Sequence, residues 1–137
     1  CRSPTAEEVL RVHARRAGLG LHLDSAGTEN YHVGEPPDER SIRHAALRGY
    51  DLSGLRARQV GPDDFRDFDL LLAADTLNLG VLRDRCPPEH RGKLALFLGD
   101  RPLPDPYYGE ATDFEKVLDL VEKRVDSLIA DWSRATD

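Results

Sequence analysis

The sequence predicts an α/β fold in one domain over residues 1–137: a three-layer, doubly wound parallel sheet, about four strands in the intact protein, with helices on both faces. Three observations carry this. Helix-period segments alternate with short apolar ones along the chain, which is the order of β-to-α units. Residues 70–74 are apolar without alternation, as a strand covered on both faces requires. A length of 137 residues suits a single core.

The first helix opens at once. Ser3 offers a capping hydroxyl, Pro4 suits the first helical position, and Glu7 and Glu8 fall in the first turn, where acids face the positive end of the dipole. Ala6, Val9, Leu10, Ala14 and Ala17 recur at the helical period, and Gly18 ends it. A strand is expected over 19–25. Residues 27–38, with Gly27, Asn30, Gly34, Pro36 and Pro37, read as a long loop centred on Tyr31 and His32, and loops of that length tend to carry function. A second helix starts at Pro37 or Asp38 and runs through Ile42, Ala45 and Ala46 to Gly49, a residue suited to a left-handed stop. A turn-rich stretch follows.

The buried strand within 69–75 ends on Asp75, which can cap a third helix with Leu77, Val81 and Leu82 inward, closed by Pro87 and Pro88. Residues 94–98 supply another short buried strand, and 99–109 a proline-rich loop. Thr112-x-x-Glu115 reads as a capping box opening a final helix, in which Phe114, Val117, Leu118, Val121, Val125, Leu128 and Trp132 keep the period. The order begins on a helix, whereas the central strand of such a sheet ordinarily precedes it. A further strand ahead of residue 1 is therefore expected.

Composition narrows the function. Nineteen Lys and Arg against 25 Asp and Glu give a net charge of −6 with the basic residues scattered, so neither nucleic acid nor an anionic membrane is an expected partner. No run approaches the ~20 apolar residues of a membrane span, and a cytoplasmic location is expected. The two cysteines, Cys1 and Cys86, form no C-x-x-C, which points to a reducing compartment. His13, His22, His32, His44 and His90 show no metal-ligand spacing, so no metal and no cofactor are expected. Nothing in the sequence calls for a dimer, and a monomer is expected.

Two constellations carry chemistry. Cys1-Arg2-Ser3-Pro4 stands at a helix N-terminus, where free N–H groups favour an anion; Arg2 adds a planar fork and Ser3 a hydroxyl, although an ordinary Ser-Pro cap reads the same. Pro104-Asp105-Pro106-Tyr107-Tyr108-Gly109 holds one carboxylate between two prolines, which fix φ and suit a placed general acid. Tyr107 and Tyr108 can wall a slot for a flat ring, or simply pack on the surface of a turn. Tyr31 can form an opposite wall or anchor its own loop.

At these motifs the sequence resembles the low molecular weight protein-tyrosine phosphatases. That family's loop is a nucleophilic Cys, five residues, then Arg and Ser or Thr, commonly closing on Cys-Arg-Ser-Pro with Ala-Glu one residue on. Residues 1–7 match that closing half, and residues 105–109 match its Asp-Pro-Tyr-Tyr-Gly acid loop. Asp24-Ser25-Ala26-Gly27-Thr28, His32-Val33-Gly34, Pro36-Pro37-Asp38, Ala57-Arg58-Gln59 and Asp64-Phe65 lie between in the family's order, so the resemblance spans the chain. It departs at Tyr31, where many members have Trp, and at Leu55, where many have His, and these positions bear on substrate preference.

The resemblance implies the following roles. The nucleophile falls six positions ahead of Arg2, outside residues 1–137, and Cys1 matches the neighbouring cysteine that can pair with it on oxidation. Cys1, Arg2 and Ser3 would bind the phosphoryl group, Arg2 and Asp105 would be catalytic, and Tyr31, Tyr107 and Tyr108 would line the substrate pocket. Ser25 would brace the phosphate loop, and Asp75 would order the far side of the site. Implied partners are phosphotyrosine-containing proteins or peptides, with inorganic phosphate and other oxyanions as ligands. Alternatives sharing the fold are a protein-arginine phosphatase, a thiol-dependent arsenate reductase with Cys86 as relay, and a phosphoryl-binding module without catalysis.

Overall fold

Why the chain turns where it does is clearest at its helix ends. The computed structural model describes residues 2–28 and 33–136. Within them run α1 (Arg2–Arg16), α2 (Glu39–Ala46), α3 (Pro62–Asp67), β1 (Leu71–Ala73), α4 (Thr76–Arg85), β2 (Leu94–Leu96) and α5 (Ala111–Thr136), with a 3-10 segment, Pro88–Lys93, leading into β2. Gly18 takes φ +74°, and the Leu19 N–H reaches back to the Ala14 carbonyl at 2.9 Å, the Schellman closure that ends α1. Asp38 caps α2 by accepting the Arg40 N–H at 2.8 Å, and Asp75 caps α4 by accepting the Asn78 N–H at 2.8 Å.

Strands β1 and β2 pair in parallel, Leu71 with Leu94, Leu72 with Ala95 and Ala73 with Leu96, joined by α4 as a βαβ unit. Their alternation sorts two cores. Leu71, Ala73, Leu94 and Leu96 face Phe65 of α3, Leu79 and Leu82 of α4, and Cys86 just after it. Leu72 and Phe97 join the larger core on the other side, where Val9 and Leu10 of α1 meet Val117, Leu118, Val121, Val125 and Leu128 of α5. Trp132 packs partly buried against that core. Helices thus cover both faces of parallel strands, and the expected α/β class and three layers are what the chain adopts.

Several local expectations need correction. No strand forms over 19–25: a strand exists only as one side of a ladder, and among the described residues this segment meets no partner until Gly27 bridges Gln59. Helix α1 already includes Arg2, so Ser3 and Pro4 lie inside its first turn and Glu7 and Glu8 one turn further on. The last helix starts one residue before the expected box: Asp113 accepts the Glu110 N–H at 2.8 Å, while Glu115 is drawn away to Arg48 and His44. Helix α3 was not expected. Its signal is Pro62 after Gly61, with the Asp64 carboxylate closing the cap on the Gly61 N–H at 2.8 Å.

Candidate active site

Three chain segments converge on the Arg2 guanidinium. Arg2 opens α1, which is rigidly packed on α5, and its side chain is 14% exposed. Its Nη1 donates to the Leu103 carbonyl at 2.8 Å and its Nη2 to Asp75 Oδ2 at 2.8 Å, while Asp105 Oδ2 stands 3.8 Å from the same Nη2. The first two bonds fix the plane of the fork. The third contact brings the carboxylate of the proline loop beside it.

Each partner is placed by a backbone reason. Asp75 follows the carboxyl end of β1 and caps α4 through Oδ1, which takes both the N–H and the side-chain amide of Asn78, leaving Oδ2 for Arg2. Partial burial pushes its carboxyl up, but the Asn78 N–H and the Arg2 guanidinium outweigh that and hold it below the usual carboxylate range. Leu103 is buried, and its N–H donates to the Ala74 carbonyl at 2.7 Å, which ties the loop that follows β2 to the end of β1. This is the edge at which parallel α/β sheets bind ligands, where strand carboxyl ends meet helix N-termini.

The proline loop is hydrogen-bonded around an exposed carboxylate. Asp105 is 53% exposed at its side chain, and its Oδ1 accepts the Tyr107 N–H at 3.1 Å. Pro106 is buried and lines a small cavity with Ser41 and His44 of α2 and Phe114 and Val117 of α5. The Gly109 N–H closes a turn on the Pro106 carbonyl at 2.8 Å. Tyr107 and Tyr108 meet edge to face with centroids 4.9 Å apart, and Tyr108 is almost wholly exposed.

The other expected residues fall as follows. Ser3 is half-buried in the first turn of α1, next to Arg2. Ser25 donates from Oγ to Glu7 Oε1 at 2.5 Å, and the buried Glu7 is paired with Arg11 at 2.5 Å, so its bond goes to the second turn of α1. Cys1 and Tyr31 lie outside the described residues. Cys86 is buried at the far end of α4 from Asp75, a separation of roughly 15 Å at the helical rise. Among the described residues, no three His, Cys, Asp or Glu side chains gather as metal ligands would, and no helix is long and apolar enough to cross a membrane.

Sequence reasoning missed Arg40, Arg11 and the Leu103 carbonyl. Arg11 was legible in principle, four residues after Glu7 on one helix face. The other two depend on contacts between distant segments.

Comparison with known proteins places these features in company. Residues 1–136 match the family model described as low molecular weight phosphotyrosine protein phosphatase. The chain is 42% identical to low molecular weight phosphotyrosine protein phosphatase 2 of Drosophila melanogaster, over 85% of this chain and 76% of that one. A protein tyrosine phosphatase from Entamoeba histolytica, solved with Hepes in its active site, superimposes with a TM-score of 0.93 at 33% identity, covering 100% of this chain and 92% of that one. Wzb of Vibrio vulnificus in complex with benzylphosphonate superimposes with a TM-score of 0.86 at 26% identity, covering 96% and 90% of the two chains.

Proposed function

The chain belongs to the low molecular weight phosphotyrosine protein phosphatase family, and from that premise we propose the roles its residues take in hydrolysing phosphotyrosine and other aryl phosphate monoesters. The observation that carries the assignment is the convergence of Arg2, Asp75 and Asp105, drawn from the start of α1, the end of β1 and the proline loop.

The phosphoryl group sits at the N-terminus of α1, held by first-turn N–H groups, Ser3 and the Arg2 fork, with Cys1 contributing backbone. Arg2 is oriented in advance by Asp75 and Leu103, so it need not reorganise as charge grows on the equatorial oxygens in the transition state. The family signature puts the nucleophilic thiolate six positions ahead of Arg2, outside these 137 residues. That thiolate attacks phosphorus in line, forming the S–P bond as the P–O bond to the aryl group breaks. Asp105, protonated, gives its proton to the leaving phenolate oxygen. As a carboxylate it then takes a proton from the water that cleaves the S–P bond, releasing phosphate and regenerating the thiolate.

Tyr107 and Tyr108, beside the acid, form a wall for the substrate ring, and the family motif assigns Tyr31 to the same pocket. This aromatic pair favours an aryl substrate over phosphoarginine, and the benzylphosphonate held by the Wzb relative has the same ring-plus-phosphoryl shape. The buried position of Cys86 at the wrong end of α4 speaks against a thiol relay for arsenate reduction. A reducing, cytoplasmic setting keeps such a thiolate active, and a monomer suffices for every role named.

In the full-length protein, Asp105→Asn is expected to slow phosphotyrosine hydrolysis by ~10²–10⁴-fold, the usual cost of a lost general acid, in steady-state assays. Turnover within a few-fold of wild type would reduce Asp105 to a turn residue and overturn the assignment.

A further inference from the structure

We propose that Arg40 is a positioning residue for the general acid, a clasp on α2 that sets where the acid loop stands relative to Arg2. This rests on the assignment of Asp105 as the acid.

The geometry runs as one connected chain of contacts. Asp38, the cap of α2, holds the Arg40 guanidinium at two points, Nε to Oδ1 at 3.1 Å and Nη2 to Oδ2 at 2.9 Å. The same Nη2 donates to the Tyr107 carbonyl at 2.9 Å. On the other side of that residue, the Tyr107 N–H donates to Asp105 Oδ1, and Asp105 Oδ2 faces Arg2. One residue of the acid loop is therefore gripped at both its backbone polar groups, at one by the helix and at the other by the acid.

Ring contacts reinforce the grip. The Arg40 guanidinium carbon lies 4.7 Å from the Phe114 ring centroid and 5.5 Å from that of Tyr107, so the cation is stacked between the start of α5 and the loop. Asp38 is held below the usual carboxylate range, chiefly by its bonds from the Arg40 side chain. A planar fork that bonds three oxygens while stacking on rings is work for Arg and not for Lys, whose ammonium is a point charge without that fixed, stackable plane. The arrangement differs from the anchor at Pro106, which fills space between helices but bonds nothing to Asp105. Arg40 touches no reacting atom in this scheme and acts through the loop.

The readout that separates positioning from general structural support is the leaving group. A phenolate with an ordinary pKa near ~10 needs the proton that Asp105 supplies, whereas a dinitrophenolate departs without it. In the full-length protein, Arg40→Met should lower kcat/KM for phosphotyrosine about 10–100-fold, the size of effect a misplaced catalytic group produces. For 2,4-dinitrophenyl phosphate, kcat/KM, which ends at P–O cleavage and leaves out the later hydrolysis in which Asp105 acts as base, should fall less than about 3-fold. Arg40→Lys and Asp38→Asn should move in the same direction by smaller factors, and they serve if Arg40→Met does not fold, as judged by circular dichroism.

Asp105→Asn is assayed beside them on both substrates. An equal fall on the two substrates, or no fall on either, in the Arg40 and Asp38 variants while Asp105→Asn discriminates between them overturns the clasp alone. An Asp105→Asn enzyme that does not discriminate overturns the acid assignment, and the clasp with it.

Discussion

Asp75 shows how one carboxylate can serve two segments: Oδ1 completes the start of α4 and Oδ2 turns Arg2 toward the ligand edge. Asp64 repeats the device away from the site. It caps α3 on the Gly61 N–H and takes both terminal nitrogens of Arg58 at 2.8 and 3.0 Å. Its carboxyl is held below the usual range, first by the Arg58 side chain and, against the pull of burial, by the Gly61 N–H and the Arg58 charge. A folded-state pKa below the unfolded one stabilises above the unfolded value and is lost as pH falls through the folded one. Asp64→Asn should therefore cost about 1–2 kcal/mol at pH 7, since Arg58 is partly exposed, and the gap from wild type should close below pH ~4 in urea titrations. At this scale the sequence was legible wherever a residue acts on its own neighbours: Asp38, Asp75 and Gly18 are readable as caps and stops. Arg40 was not, because its partner Tyr107 lies 67 positions away.

Among elements, α5 was the easiest to foresee. Its 26 residues carry the apolar stripe from Phe114 to Trp132 through about five turns, so the period stands out whatever the caps do. Leu118 lies in that stripe at 2% exposure, and Leu118→Ala should lower stability by about 2–5 kcal/mol, measured as a shift in the urea midpoint at constant slope. Helix α3, with 6 residues, is too short to display a period, and only its proline and acid betray it. The segment 19–25 failed for a different reason: apolar alternation makes a strand possible, but the partner that makes it real is not written in the segment itself. The capping box at Thr112 failed by competition, because His44 on α2 and Arg48 in the turn after it offer Glu115 stronger contacts than a backbone N–H would.

On the scale of the whole molecule, the two cores share the strands between them, with Leu72 turned to one side and Leu71 and Ala73 to the other. Neither core keeps its shape without β1, so both should melt together. In urea, pulsed alkylation of Cys86, buried in the smaller core, should follow the same curve as far-UV circular dichroism, which α1 and α5 dominate; two separated midpoints would show independent units. The layered class was readable from the order of segments, and Arg2 and Asp105 from their motifs. Their meeting at Asp75 came from the parallel-sheet rule that ligands gather at strand carboxyl ends, which says where a site lies but not which carbonyl, such as that of Leu103, closes it. Trp132, the single tryptophan, leans on the α1–α5 core near the end of α5, far along the helix from the residues at its start that hold the acid loop. Selectively excited emission from Trp132 therefore follows the α1–α5 packing and not the set of Asp105, so a variant with an unchanged Trp132 signal and impaired turnover declares its fault to be local.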